Sequence, residues 1–437
     1  MLIAMTENIE IKGYWFLPSE PDNRVAGTLY FSPNRKLTLE LIGSFRDPVS
    51  YIKAVAERVP KKQEIILGES SDGKEITLIN CDSYGSLNFS STFPLQNFNV
   101  QYCMQGIHLT NRNDEIFDNI TVKIPYLTKW VNHYDIKYAV PFKDNRANGF
   151  SLSFDRDNSN LISVQLDDEY ELELEFTCSP PGTHYEEQLI IRQAYQLNII
   201  SKNLRSFWSL LSQTGKFKMF LTLGTLNTVG YQSISFHSPH KFQELNNGER
   251  IFHPINLYFN QIEEWRPNVS AREFLFTHDL INQSFDAVIK KWFSFDVLMA
   301  PILKHLIESI KEKNIFNTGD FLIVIQALEG YATRFRPNIP KKEKRIKLIE
   351  QLNYLHNEFS YLEIIKNTPL DLEVAVNSRH YYSHFFAKKQ HAHVAEGVEL
   401  YEITQGLKTK LICCVLNEAG FDQFAITSIM KAYRQRR

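Results

Sequence analysis

Asn377-Ser378-Arg379-His380-Tyr381-Tyr382-Ser383-His384 is the stretch that decides how the C-terminal third of this chain folds. Upstream of it the residues start a helix. Thr368 suits an N-cap, Pro369 the first helical position, and Asp371 the first turn. Leu372, Ala375, Val376, Tyr382 and Phe386 then recur at helical spacing. At about 100° per residue, Arg379 falls near the middle of that apolar stripe. A guanidinium cannot shed its proton, so in such a place it needs a carboxylate, a partner subunit or a bound phosphate. His384 lies about 140° further round the helix. One straight helix is therefore not expected to aim both groups at one atom, whereas two copies meeting across a two-fold axis would bring them together.

Outward from this stretch the period stays helical. Helices are predicted over 285–311 and 321–335. Another is opened by Lys341-Lys342-Glu343-Lys344-Arg345 and reaches to about residue 357, and the last two cover 394–418 and 422–435. Residues 271–437 thus read as an all-α bundle. Earlier the period is two. Residues 64–68 and 75–79 flank Ser71-Asp72-Gly73, a hairpin signal. From Glu169 to Phe176 glutamates alternate strictly with Tyr170, Leu172, Leu174 and Phe176, as in a strand with one buried side. The glutamate row reads as a solvated face, with a cation or a basic partner as the alternative.

Within this β-rich part, Leu189, Ile190, Ala194, Leu197, Ile200, Leu204, Trp208 and Leu211 spell a helical stripe, which predicts a long helix near 185–212. A strand is expected over 216–225. The fold class is α+β: a β-rich N-terminal domain, residues 1–270, followed by the all-α domain. With no catalytic constellation before Arg272, a fragment of about 265 residues is expected to be soluble and inactive.

Of the 437 residues, 43% are hydrophobic and 22% charged, and the net charge is −2. Any nucleic-acid site is then a local basic patch, not a property of the whole surface. Lys388 and Lys389 beside the motif, and Lys341, Lys342, Lys344 and Arg345, are the RNA-binding candidates, against a solvated charged surface; for the tail Arg434, Arg436 and Arg437, solvation is the better reading. The five cysteines have no metal spacing and fit a reducing cytosol. Met1 to Glu7 shows no basic region before an apolar core, and no apolar run reaches the length of a membrane span, so a cytoplasmic protein is expected.

Arg-x-x-x-x-His alone is weak in a chain with 13 histidines; Arg272 and His278 nearly repeat it. Its context is more specific. The stretch Arg379 to His384, with His380 as the polar second residue, resembles the nuclease motif of Apea-type HEPN domains. Ala327-Leu328-Glu329-Gly330-Tyr331, Glu399-Leu400-Tyr401-Glu402 and the run Cys413 to Phe421 are similar to that family too. Gly13-Tyr14-Trp15-Phe16 and Ser206-Phe207-Trp208-Ser209-Leu210-Leu211 resemble the ApeA N-terminal domain.

The resemblance implies metal-independent endoribonuclease activity in bacterial anti-phage defence, by 2′-hydroxyl attack on the adjacent phosphate, with no cofactor. His384 would move the proton, Arg379 hold the phosphate, and His380 assist, supported by Glu329, Tyr382 and Ser383. It also implies an even-numbered assembly through the helical domain, RNA (transfer RNA among the candidates) as substrate, and a phage-derived trigger at the β-rich domain.

Two other readings compete. In one, Arg379 is a satisfied ion pair with Glu329 or Glu373, and the helical domain only dimerises or binds nucleotides. In the other, His380, His384, His391 and His393 hold zinc for a hydrolase.

Overall fold

Strict alternation of buried and exposed residues builds the first half of the protein. The computed structural model describes residues 5, 7–33, 35–45, 62–85, 94–155, 161–179, 190–312, 317–338, 347–368, 370–385 and 393–435. In β3 (Arg35–Ile42), Leu37, Leu39 and Leu41 are fully buried while their neighbours face outward. The same period runs through most of β1 (Ile9–Leu17), β2 (Glu20–Ser32) and β6 (Leu95–Gln105), whereas β4 (Lys62–Ser70) and β5 (Glu75–Tyr84) each bury four successive residues, 65–68 and 76–79.

These six antiparallel strands run in the order β6-β3-β2-β1-β4-β5, and β5 pairs back onto β6, which closes a barrel. Ser71-Asp72-Gly73 makes the β4–β5 hairpin as read from the sequence. Gly73 takes a positive φ of 77°, and Ser70 N–H donates to Lys74 O at 2.9 Å. Trp15, fully buried in β1, lies against Gly68 of β4; a Cβ there would meet the indole at 2.4 Å.

The barrel continues into an open sheet because β6 changes partner along one edge. Residues 95–99 pair with β3, and residues 103–105 pair with β12 (Ile255–Tyr258). From β12 the order runs to β11 (Ser233–His237), β7 (Phe117–Lys123), β10 (Arg192–Arg205), β9 (Tyr170–Ser179) and β8 (Leu161–Gln165). In β9 the alternation holds: Leu172, Leu174 and Phe176 are buried.

The long helix expected near 185–212 is a misreading. Residues 192–205 form β10, with Leu197 opposite Leu174 and Val122, and Ile199 opposite Leu172 and Ile120. Leu197, Ile200 and Leu204 satisfy a helical spacing, but Tyr195, Leu197 and Ile199 are the apolar residues that are buried, with period two. Two flanking strands decide between the periods. Residues 180–189 lie outside the described residues. The helix starts later, at α2 (Phe207–Thr225), after a one-turn α1 (Leu127–Val131), and it absorbs the segment 216–225 expected as a strand.

Among the described residues, the remaining helices of two turns or more are α3 (Phe285–Phe293), α4 (Ala300–Lys311), α5 (Thr318–Phe335), α6 (Leu348–Glu358), α7 (Leu372–His384), α8 (Gly397–Glu418) and α9 (Gln423–Gln435). The single helix expected over 285–311 is broken between α3 and α4, where Asp296 accepts from the N–H groups of Leu298 and Met299.

The chain divides into two compact units. One is Met1–Thr128, Tyr134–Gly215 and Gly230–Glu264. The other is Lys129–His133, Lys216–Val229 and Trp265–Arg437. The second unit therefore takes α1 residues and the second half of α2 as well as the C-terminal helices. No helix among the described residues is long and apolar enough to cross a membrane.

Candidate active site

Helix α7 carries the motif. Its N-cap is Asp371, whose carboxylate accepts from the N–H groups of Glu373 and Val374 at 2.9 and 3.0 Å. Thr368, expected as the cap, instead turns its hydroxyl to Ile364 O. Pro369 lies outside the described residues. Leu372, Val374, Ala375 and Ser378 face the core. The helix stops at His384 because Phe385 is left-handed, φ 54°, with its N–H on Tyr381 O at 2.8 Å.

Arg379 is one-fifth exposed, and its Nη2 meets Glu329 Oε2 of α5 at 3.2 Å. Its Nη1 lies 3.5 Å from His384 Nε2. This corrects the expectation that one protomer keeps the pair apart. The angle between Cβ directions is large, but an arginine side chain is long enough to carry its charge round to the last turn. The rings of His380 and His384 lie nearly parallel, 6.2 Å between centroids. Arg379 Nε and Ser383 Oγ are buried without a hydrogen-bond partner among the described residues. So the site holds Arg379, His384, His380 and Glu329, with the Ser383 Oγ buried in the same last turn.

Tyr382 serves its own protomer. Its hydroxyl donates to Ala395 O at 2.9 Å, and its ring meets Phe321 of α5. Ala395 N–H in turn donates to the fully buried Ser378 Oγ at 2.9 Å. These two bonds stitch residue 395 onto α7. Sequence reasoning missed that contact, since a partner that uses only backbone atoms leaves no trace in residue type.

Glu329 is held from below by the rest of α5. Tyr331, fully buried, donates to Glu418 Oε1 of α8 at 2.8 Å, and burial pushes its phenol pKa up. Arg336 forks onto Glu358 of α6, with Nε 3.0 Å from both carboxylate oxygens and Nη2 2.7 Å from Oε1, and its Nη1 reaches Glu418 at 3.1 Å. Three helices are thereby pinned in register about two turns from Glu329.

His393 pairs with Glu399 at 3.0 Å, and His391 lies outside the described residues. Among the described residues no group of three or more His, Cys, Asp or Glu is arranged to hold a metal ion. Lys341, Lys342, Lys344, Arg345, Lys388 and Lys389 also lie outside the described residues.

The family profile described as ApeA N-terminal domain 1 matches residues 10–292, and that described as Apea-like HEPN matches residues 322–424. The second match contains Glu329 together with Arg379, His380 and His384. No curated protein and no solved structure matches the chain.

Proposed function

The chain belongs to the ApeA N-terminal domain 1 family and carries an Apea-like HEPN region, and from that premise we propose that it is a metal-independent endoribonuclease of anti-phage defence. The observation that carries the proposal is the meeting of Arg379 and His384 at 3.5 Å, with Glu329 holding the guanidinium from the other side. Arginine has five N–H donors, so Glu329 and His384 leave donors over for phosphate oxygens.

When a phosphate takes Arg379, the His384 Nε2 lone pair that faces Nη1 is released for proton transfer. His384 removes the proton of the ribose 2′-hydroxyl; the 2′-oxygen bonds to phosphorus, the bond from phosphorus to O5′ breaks, and O5′ takes a proton. The products are a 2′,3′-cyclic phosphate and a 5′-hydroxyl. Arg379 offsets the charge that builds on the non-bridging oxygens, and His380, stacked on His384, assists in placing the proton. The even-numbered assembly expected from the family resemblance now rests on that resemblance alone, since one protomer brings Arg379 and His384 together.

The test is cleavage of total RNA by purified protein in EDTA, with the new ends sequenced. Wild type should cut and leave cyclic phosphates. His384→Ala should lose about 100-fold or more of the rate while melting at the same temperature. Cleavage by His384→Ala at the wild-type rate would refute the mechanism. Loss of wild-type activity in EDTA, restored by zinc, would move the protein to the hydrolase reading. Binding without any cleavage would favour the satisfied Arg379–Glu329 ion pair of a non-catalytic protein.

A further inference from the structure

We propose that the ribbon 137–153 of the first unit is an arm that takes single-stranded RNA. Its framework is two short ladders: Lys137–Ala139 pairs with Ser151–Ser153, and Phe142–Lys143 with Arg146–Ala147. The tip turns through Asp144 and Asn145, both left-handed at φ 50° and 58°, as a two-residue hairpin of this twist requires. Asn148 N–H closes the loop onto Pro141 O at 2.8 Å.

Every residue of the ribbon except Val140 is exposed. Tyr138, Phe142 and Phe150 are 66%, 71% and 66% exposed. Three aromatic rings displayed on a two-stranded ribbon do nothing for its folding and mark a surface that meets something.

Charge says what. The ribbon holds three cations, Lys137, Lys143 and Arg146, against one carboxylate, Asp144. The register sets Lys143 directly opposite Arg146, an arrangement that costs stability in the free ribbon. A second copy of this chain would bring the same cations against each other. A single nucleic-acid strand satisfies both features: bases stack on Tyr138, Phe142 and Phe150, and phosphates neutralise the cations at the tip. In a duplex the base faces are already stacked on one another, so the arm favours single strands. That the strand is RNA rests on the nuclease reading above.

The test uses the full chain carrying His384→Ala, so that bound RNA stays intact, and fluorescence anisotropy of a labelled uridine-rich single strand of about 20 nucleotides, longer than one compact binding site. Tyr138→Ala with Phe142→Ala should weaken binding about tenfold or more, because each lost stack costs at least about fivefold. Lys143→Gln with Arg146→Gln should reduce the salt dependence of log K by about 1.4, the share of two phosphate contacts on a single strand. Ile262→Ala, at a still more exposed site outside the ribbon, should change neither.

Unchanged affinity in both ribbon variants overturns the proposal, as does a parent chain that binds no RNA. Ribbon variants that break up a self-association while keeping RNA affinity assign the ribbon to a second copy and also overturn it. Failure of the nuclease reading is seen separately: the chain with His384 intact then cuts nothing while the ribbon variants still lose binding.

Discussion

Glu329 and Lys410 show how far residue type alone can be read. Glu329 was legible as a carboxylate near Arg379, but whether it orients the arginine or merely faces water needed the 3.2 Å contact. Glu329→Gln keeps the shape and removes the charge. More than a third of its side chain is exposed, so the stability cost should stay below about 1 kcal/mol. RNA cleavage should nevertheless fall about 10- to 100-fold, because the phosphate clamp loses its anchor; parallel melting and cleavage assays separate the two effects, and full cleavage by the variant would reduce Glu329 to a surface carboxylate. Lys410 gave no signal in the sequence. It sits in α8 with 2% of its surface exposed, and burial pushes its pKa from 10.5 down to about 8, against the thiols of Cys413 and Cys414. His356 of α6 faces it and is itself pushed down by burial and by Lys410. Below about pH 8 Lys410 is charged in both the folded and unfolded chain, and the full penalty of burying it stands. Between 8 and 10.5 only the unfolded chain keeps the proton, so raising the pH through that window relieves the penalty. Lys410→Met should accordingly stabilise the protein near pH 7 by up to about 3 kcal/mol, with the advantage shrinking toward pH 10. Urea titrations of both proteins at the two pH values check this, and an advantage that does not change with pH would show that Lys410 is hydrated.

At the level of elements, legibility followed the number of faces buried. The β4–β5 hairpin declared itself through its turn chemistry, although residues 65–68 and 76–79 are buried without alternation, and β9 through clean alternation, because it has one wet face. β10 did not, since Leu197, Ile200 and Leu204 suit either period and the choice was made by β9 and β7 on its flanks. α2 was cut short by the same error: with Phe207, Leu210, Phe217, Phe220, Leu221 and Leu223 all fully buried, its apolar residues do not confine themselves to one stripe. The helical region was easier to divide into elements, and its internal ties were harder to foresee. Arg336 lies just past the end of α5 with 16% of its side chain exposed, and it neutralises Glu358 of α6 and Glu418 of α8 together. Arg336→Ala leaves those two carboxylates facing one another beside Tyr331, and should cost about 3 kcal/mol. Arg336→Lys should recover only part, because an ammonium cannot fork onto Glu358 as the guanidinium does. Chemical denaturation of the three proteins measures the series; equal stability of the alanine variant would mean that water replaces the arginine fully.

For the whole molecule, the sequence placed the change of period near residue 270; the chain passes from the first unit to the second at Glu264 and Trp265, but residues 129–133 and 216–229 belong to the second unit as well. Trp130, Phe217 and Phe220 are fully buried, and all three come from before residue 265. Phe217 packs on Trp130 and Phe220, and those two find further partners after it. Trp130 packs on Phe276 and Phe285, and Phe220 on Phe276 and Trp292, with ring centroids 5.2–6.4 Å apart. Hydrogen bonds to backbone carbonyls follow the rings: Trp292 Nε1 donates to Lys216 O at 2.9 Å, and Phe276 N–H to Gly224 O at 3.1 Å. At Gly224 the approach is so close that a Cβ would stand 2.8 Å from the Trp130 indole nitrogen. The match to ApeA N-terminal domain 1 ends in the same region, at residue 292. A fragment ending at 265 would uncover Trp130 and Phe220, large aromatic side chains that each bury about 150–250 Å² when packed, and together they make an apolar patch of the few hundred Å² that a soluble monomer rarely exposes. Fragment 1–295 keeps those partners and loses the ring contact of Phe276 with Phe421 of the C-terminal region. Residues 1–265 should therefore aggregate on expression, whereas residues 1–295 should stay soluble and, lacking Arg379 and His384, cut no RNA. Size-exclusion chromatography of the two fragments decides the matter. A soluble, monodisperse 1–265 would show that the packing of Trp130 and Phe220 on residues 276–292 is dispensable for folding what precedes it.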